Sequence, residues 1–346
     1  MKLGKRIFGI LLLICLGGVI TGCGKGKVRM ASAEIIFTGT LSENEVFRVE
    51  EEVCTLAQAK LFLVNEKNQY EGSFGAELWK QELDGQTFED YVRSMAQDQL
   101  AQIKAMVLLA KQEQVVLEES EKEGIEKAAE VYFSSLTAEE IEILQITQEE
   151  IQQFYEDYCL ADKIYQKLTS QVEQEISDSE ARVIVVQHIF FEIDPEDSEE
   201  EKQNLREQLL KLKQQAEEGG SFSSLAVEYS EDPTIEYSFG RGEMEASFEE
   251  AAFALSVGEI SDVVETSSGY HLIYCVNDYD VEKTTNNKVT IMEKRRQAAF
   301  DQVYQEFAAG LISEMNEKAW NKIRFDELTS VKTKSLFSVY LEYKDK

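Results

Sequence analysis

SSGYHLIY, residues 267–274, holds one of only two histidines in the 346-residue chain. A glycine opens the run and large apolar residues fill it, which reads as a strand entered from a tight turn at Ser268-Gly269. The other histidine lies in VVQHIFF, residues 185–191, and the longer stretch 181–193 has the β-branched content of a buried strand. Between these two strands the signals are those of short helices. Ser198 with Glu201 forms a capping box, Leu205, Leu209, Leu212 and Ala216 make one face, and Gly219 stops the helix. Ser221 is an N-cap for a second helix with Phe222, Leu225, Ala226 and Tyr229 inward. Ser247 with Glu250 reads as the capping box of a third.

Outward from this segment the composition changes. Both prolines, Pro195 and Pro233, lie in it, so the flanks can form long helices with few breaks. Near the N-terminal side a strand-like alternation from Val46 leads into a helix reaching Tyr70. In residues 90–114, Val92, Ala96, Leu100, Ile103, Val107 and Ala110 recur at helical spacing. Met106, Leu108 and Leu109 widen that stripe, so more than one neighbour must cover it. A further helix precedes Ser177. After residue 285, Phe300, Tyr304, Phe307, Leu311 and Met315 share one helical face. Each flank has a stripe that it cannot bury alone, which predicts that the two flanks form one module.

The formal charge is −31, with 35 Lys and Arg against 66 Asp and Glu, and this excludes nucleic acid as a partner because no basic face is offered to phosphates. The acidic runs at 118–124 and 196–202 read as solvated faces. Lys2, Lys5 and Arg6 precede an apolar run, Phe8 to Ile20, too short to span a bilayer. The run ends in Ile20-Thr21-Gly22-Cys23, which resembles a bacterial lipobox and implies diacylation of Cys23 and anchoring on the extracytoplasmic face of the cell membrane. Cys54, Cys159 and Cys275 have no CxxC spacing, so buried free thiols are expected, with no metal site. No P-loop, EF-hand or HExxH pattern occurs.

Four blocks, VVQHIFF (185–191), GGSFSSLAVEYSED (219–232), FGRGEMEASFEEAAFALSVGEISDVV (239–264) and SSGYHLI (267–273), resemble in this order the parvulin-type peptidyl-prolyl isomerases. The helical flanks and the lipobox are similar to the extracytoplasmic foldases of the PrsA and SurA type. The resemblance implies an α+β chain: a parvulin domain, with a four-stranded antiparallel sheet and surrounding helices, inserted into an all-α chaperone module. The expected divisions are a leader at 1–22, an anchor and spacer at 23–44 and a helical region at 45–180. The isomerase domain then occupies 182–280, a completing helix 290–325 and a tail 326–346.

By resemblance, His188 and His271 match the family's pair of histidines at the centre of the sheet, and Thr266 the hydroxyl tied to the second of them. Asp232 matches the position beside the imide, and Met244 and Phe248 the apolar wall that receives the proline ring. The implied activity is cis–trans isomerisation of X-Pro bonds in exported, incompletely folded polypeptides, with no cofactor and no metal. The chain departs from the family between Asp232 and Arg241, where Glu236 and Tyr237 stand in place of Leu and Gly in a shortened loop. That departure predicts weak activity, and its limit is a parvulin-fold chaperone without catalysis. The acidic loop after the first strand argues against phosphorylated substrates, which would be repelled. A solute-binding lipoprotein would explain the anchor and leave the four blocks without a reason.

Overall fold

The computed structural model describes residues 34–36, 41–83, 85–172, 175–194 and 196–344. The leader, Cys23 and Pro195 lie outside the described residues. The chain divides into two units, one made of residues up to 171 together with 297–346, the other of 172–296.

The first unit starts with strands β1 (Glu34–Ile36), β2 (Glu45–Val49) and β3 (Glu52–Thr55). Helix α1 (Leu56–Phe74) follows directly, because Thr55 and Gln58 cap it reciprocally. After a short hairpin come α2 (Phe88–Gln112), α3 (Glu119–Ser134), α4 (Ala138–Leu144) and α5 (Gln148–Thr169). Thr87, Thr137 and Thr147 accept first-turn N–H groups at the starts of α2, α4 and α5, satisfying donors that a bare helix end leaves open. The α2 stripe from Val92 to Ala110 is buried, and so are Met106, Leu108 and Leu109, so this helix is covered on several sides. Cys54 and Cys159 are buried free thiols here.

The second unit is built on a four-stranded antiparallel sheet. Its strands are β4 (Ile184–Glu192), β5 (Glu236–Phe239), β6 (Val264–Glu265) and β7 (Gly269–Asn277), in the order β5-β4-β7-β6. Side chains alternate along β4. Ile189 and Phe191 face α6 (Glu199–Glu217) and α7 (Phe222–Tyr229), where Leu209, Leu212, Phe222 and Ala226 complete a core. Ile184 and Val186 face the other way, with Phe239, Ile273 and the Phe248, Ala252 and Phe253 side chains of α8 (Ala246–Ala254). Gly269 opens β7 because the neighbouring strand leaves no room: a Cβ there would lie 2.1 Å from the Phe191 carbonyl oxygen. Cys275 is a buried free thiol in this unit.

The chain returns to the first unit through α9 (Val281–Ala308), β8 (Ile312–Met315), α10 (Glu317–Asn321) and α11 (Leu336–Tyr343). Two expectations are corrected here. The module expected to be all-α contains a sheet of order β1-β8-β2-β3, in which β8 is parallel to β1 and antiparallel to β2. Leu311 and Met315 therefore leave the helical face that Phe300 and Tyr304 occupy, since the helix ends before Gly310 and Met315 pairs with Phe47. Nor is 326–346 a tail. Leu328, Val331, Leu336, Phe337, Val339 and Tyr340 are all buried. The Phe337 ring packs on Phe62, Phe154 and Tyr158, and the Tyr155 hydroxyl donates to the Leu336 carbonyl at 2.8 Å. Gly124 in α3 permits this docking, because a Cβ there would stand 2.5 Å from the Tyr343 carbonyl oxygen.

Candidate active site

His188 and His271 come from the two central strands, and their positions follow from register. His188 pairs with Ile273 and Phe190 with His271, so the two histidines are diagonal neighbours on one face. Their rings are nearly parallel, with Nδ1 3.2 Å from Nδ1. Each is buried, to 3% and 9% exposure.

The proton positions follow from what surrounds the rings. His188 Nε2 lies 3.1 Å from the Thr234 carbonyl and 3.3 Å from an Asp232 carboxylate oxygen, and neither can donate. His188 must therefore carry its proton on Nε2. Its Nδ1 then accepts from the protonated Nδ1 of His271, and His271 Nε2 accepts from the Thr266 hydroxyl at 2.9 Å. Two neutral imidazoles satisfy this chain completely. Burial favours the same state. It lowers the pKa of His188, and it lowers that of His271, next to the other ring, from 6.5 to about 4.

Asp232 is held the other way. Burial opposes its charge, but the Tyr237 hydroxyl at 2.7 Å, the Thr234 amide at 2.8 Å and His188 together keep its pKa below the usual carboxylate range. Its role in the polar network is thus that of an acceptor. Phe248 supplies the apolar side, with its ring edge-on to His188 at 5.9 Å and to His271 at 5.1 Å. Met244 is half-buried against the same apolar cluster. The structure thus gathers His188, His271, Asp232, Thr266 and Phe248 around one point on the sheet, with Met244 at its border.

Three further contributors lie beyond the site residues that the sequence singles out. Tyr237, which occupies the place of a family glycine, donates to Asp232 and sets its ring edge-on to His188 at 5.1 Å. The Thr234 carbonyl decides the tautomer, and a main-chain atom leaves no side-chain signature. Phe190 lies 4.8 Å from His271, ring to ring. Strand alternation puts residue 190 on the face of His188, so that last signal was available.

The low pKa of His271 gives a pH dependence. In the unfolded chain this ring titrates near 6.5 and in the folded chain near 4, so between those values the folded state binds fewer protons. The stabilisation is complete above pH 6.5 and is lost as the pH falls towards 4, by up to roughly 3 kcal/mol. Urea midpoints followed for wild type and His271→Asn should diverge at pH 7.5 and converge near pH 4.5. Parallel curves across that window would remove His271 from the account.

Residues 188–277 match the model of the PPIC-type peptidyl-prolyl isomerase (rotamase) domain. Over 303 residues, 84% of this chain and 90% of the relative, the sequence is 25% identical to the foldase protein PrsA of Caldanaerobacter subterraneus subsp. tengcongensis. It is 33% identical to the PrsA of Halalkalibacterium halodurans over 161 residues, 43% of this chain, and there it spans about half (47%) of the relative. The crystal structure of PrsA from Bacillus cereus aligns over 88% of this chain and all of its own, with 17% identity and a TM-score of 0.36. Residues 188–277 are a PPIC-type parvulin domain, and the chain that carries them is similar to the PrsA foldases.

Proposed function

We propose that this chain is a lipid-anchored foldase on the extracytoplasmic face of the membrane, isomerising X-Pro bonds in exported polypeptides while its discontinuous unit assists their folding. The PPIC-type domain makes the chain a peptidyl-prolyl isomerase. The observation that carries the mechanism is the neutral histidine pair with the Phe248 ring edge-on to both members. Isomerisation meets a barrier of about 18–20 kcal/mol because amide resonance must be broken, and no bond to substrate is cut. A site lowers it by holding the proline ring and favouring the twisted imide over the planar one. Met244 and Phe248 hold the ring. Neutral His188 and His271, with Thr266 and the Asp232 carboxylate, form a polar side whose hydrogen bonds are already made and need not reorganise.

The test is isomerisation of a short unphosphorylated X-Pro peptide. Phe248 is a core residue as well, so Phe248→Ala mixes lost activity with lost stability. Met244→Ala is cleaner. Loss of an apolar contact of about 2 kcal/mol in the transition state corresponds to a roughly 30-fold lower kcat/KM. A Met244→Ala protein with wild-type kcat/KM would remove Met244 from the site.

The second reading, a chaperone with an idle parvulin fold, is favoured by one observation, the Tyr237 ring lying against His188 where the family has glycine. It takes over when the folded wild-type chain shows no catalysis above the spontaneous rate. Anchoring is tested separately. Cys23→Ser should move the protein from the membrane fraction to the soluble one, and unchanged partition would refute a lipid anchor.

A further inference from the structure

Helix α8 begins without the cap that its own side chains could provide. Its N-cap is Glu245, whose carboxylate makes no bond to the helix. Ser247, expected to form a capping box with Glu250, lies inside the first turn and donates instead to the Glu265 carbonyl at 2.7 Å. A side-chain cap ordinarily stabilises a helix start, and here two groups able to cap are turned away from the helix. Local rules broken in this way concentrate at working sites.

Ser247 thus reaches the end of β6, and Glu245 reaches the turn that joins β6 to β7. One oxygen of Glu245 accepts from the Ser267 amide at 2.8 Å, and the other accepts from the Ser267 hydroxyl at 2.8 Å. Two parallel bonds to one residue set angle as well as distance. The ends of this bridge are informative. Glu245 follows Met244 in the chain, and Ser267 follows Thr266, whose hydroxyl meets His271 Nε2. On the other side of Met244, the Gly242 amide donates to Glu249 at 2.6 Å.

We infer that Glu245 is a positioning residue of the isomerase: its two-point bridge to Ser267 fixes the apolar wall at Met244 against the hydroxyl that orients His271. This rests on the isomerase reading above. The wall and the histidine network belong to separate elements, a helix start and a turn between strands, and both must meet one proline ring. Glu245 is exposed, and so is Ser267. A bond between exposed groups adds little to stability, so a merely structural role would leave almost nothing to measure. A displacement of about 1 Å at a reacting centre can cost about 100-fold in rate, and positioning is therefore where this bridge has its effect.

The experiment uses the full chain with Glu245→Ala, Glu245→Gln and Ser267→Ala, assayed on an unphosphorylated X-Pro peptide, with thermal unfolding as the control for folding. Glutamine keeps both bonds, its carbonyl accepting from the amide and its NH2 donating to the hydroxyl, but loses the charge. Glu245→Ala should lower kcat at least about ten-fold with KM little changed, Ser267→Ala less, and Glu245→Gln should stay within about two-fold of wild type. Wild-type kcat in a folded Glu245→Ala protein overturns the inference. So does a Glu245→Gln loss as deep as that of alanine, which would assign the effect to charge. A wild-type chain without activity overturns the isomerase reading, and this inference with it.

Discussion

A chain ending at Phe325 should fail to fold its discontinuous unit while residues 172–296 keep their structure. Truncation removes Leu328, Val331, Leu336, Phe337, Val339 and Tyr340, all buried. At about 1.5–3 kcal/mol for each buried apolar side chain, the loss reaches the whole stability of an ordinary domain, about 5–15 kcal/mol. It also leaves polar groups unpaired. The Asn65 side-chain carbonyl loses the Leu336 amide, and the Tyr155 hydroxyl loses its acceptor. The readout is unusually clean, because both tryptophans of the chain, Trp79 and Trp320, are buried in this unit. Their emission should shift to the red in the truncated chain, with isomerase activity retained. Unchanged emission and an unchanged urea midpoint would show that the segment is dispensable after all.

Asp157→Ala should destabilise the same unit by about 3–5 kcal/mol. The Lys104 ammonium lies 2.5 Å from Asp157, with Gln58 at 3.3 Å as its other acceptor, and both charged side chains are at most 5% exposed. Removing the carboxylate leaves an ammonium in a place where water cannot reach it. The same surroundings act on the neighbouring Cys54, where burial pushes the thiol pKa up to about 12. Replacing both charges, Lys104→Met with Asp157→Leu, should be near neutral or stabilising, since desolvation offsets most of what a buried pair gains. Tryptophan-monitored urea unfolding of the single and double variants decides this. A single variant within 1 kcal/mol of wild type would mean that the pair is hydrated.

Much of the fold could be read because its signals are local. The α2 stripe has a period, the box of Ser198 with Glu201 starts α6 as expected, and Ser221 caps α7. Where the reading failed, the deciding contact was distant. Ile312–Met315 continues a helical pattern on paper, yet forms a strand because a slot between β1 and β2 takes it. Ser247 has the neighbours of a capping residue, and a carbonyl 18 residues later claims its hydroxyl. The histidines stand out by rarity and by lying in two strand-like runs. Thr234, whose carbonyl sets the tautomer, and Tyr237, which holds Asp232, are ordinary residues, and only the folded chain shows what they face.

The place of β8 between β1 and β2 also bears on the order in which the chain can fold as it emerges N-terminus first. Residues 34–55 arrive early, but the strand that joins β1 to β2 arrives near the end, after the second unit has already been supplied with every strand of its own sheet. The part made first therefore closes last. Until residues 312–315 appear, β2 presents an unpaired edge, and such an edge will accept a strand from another chain. The inserted unit can be complete and working while its host is still waiting for its own last strand.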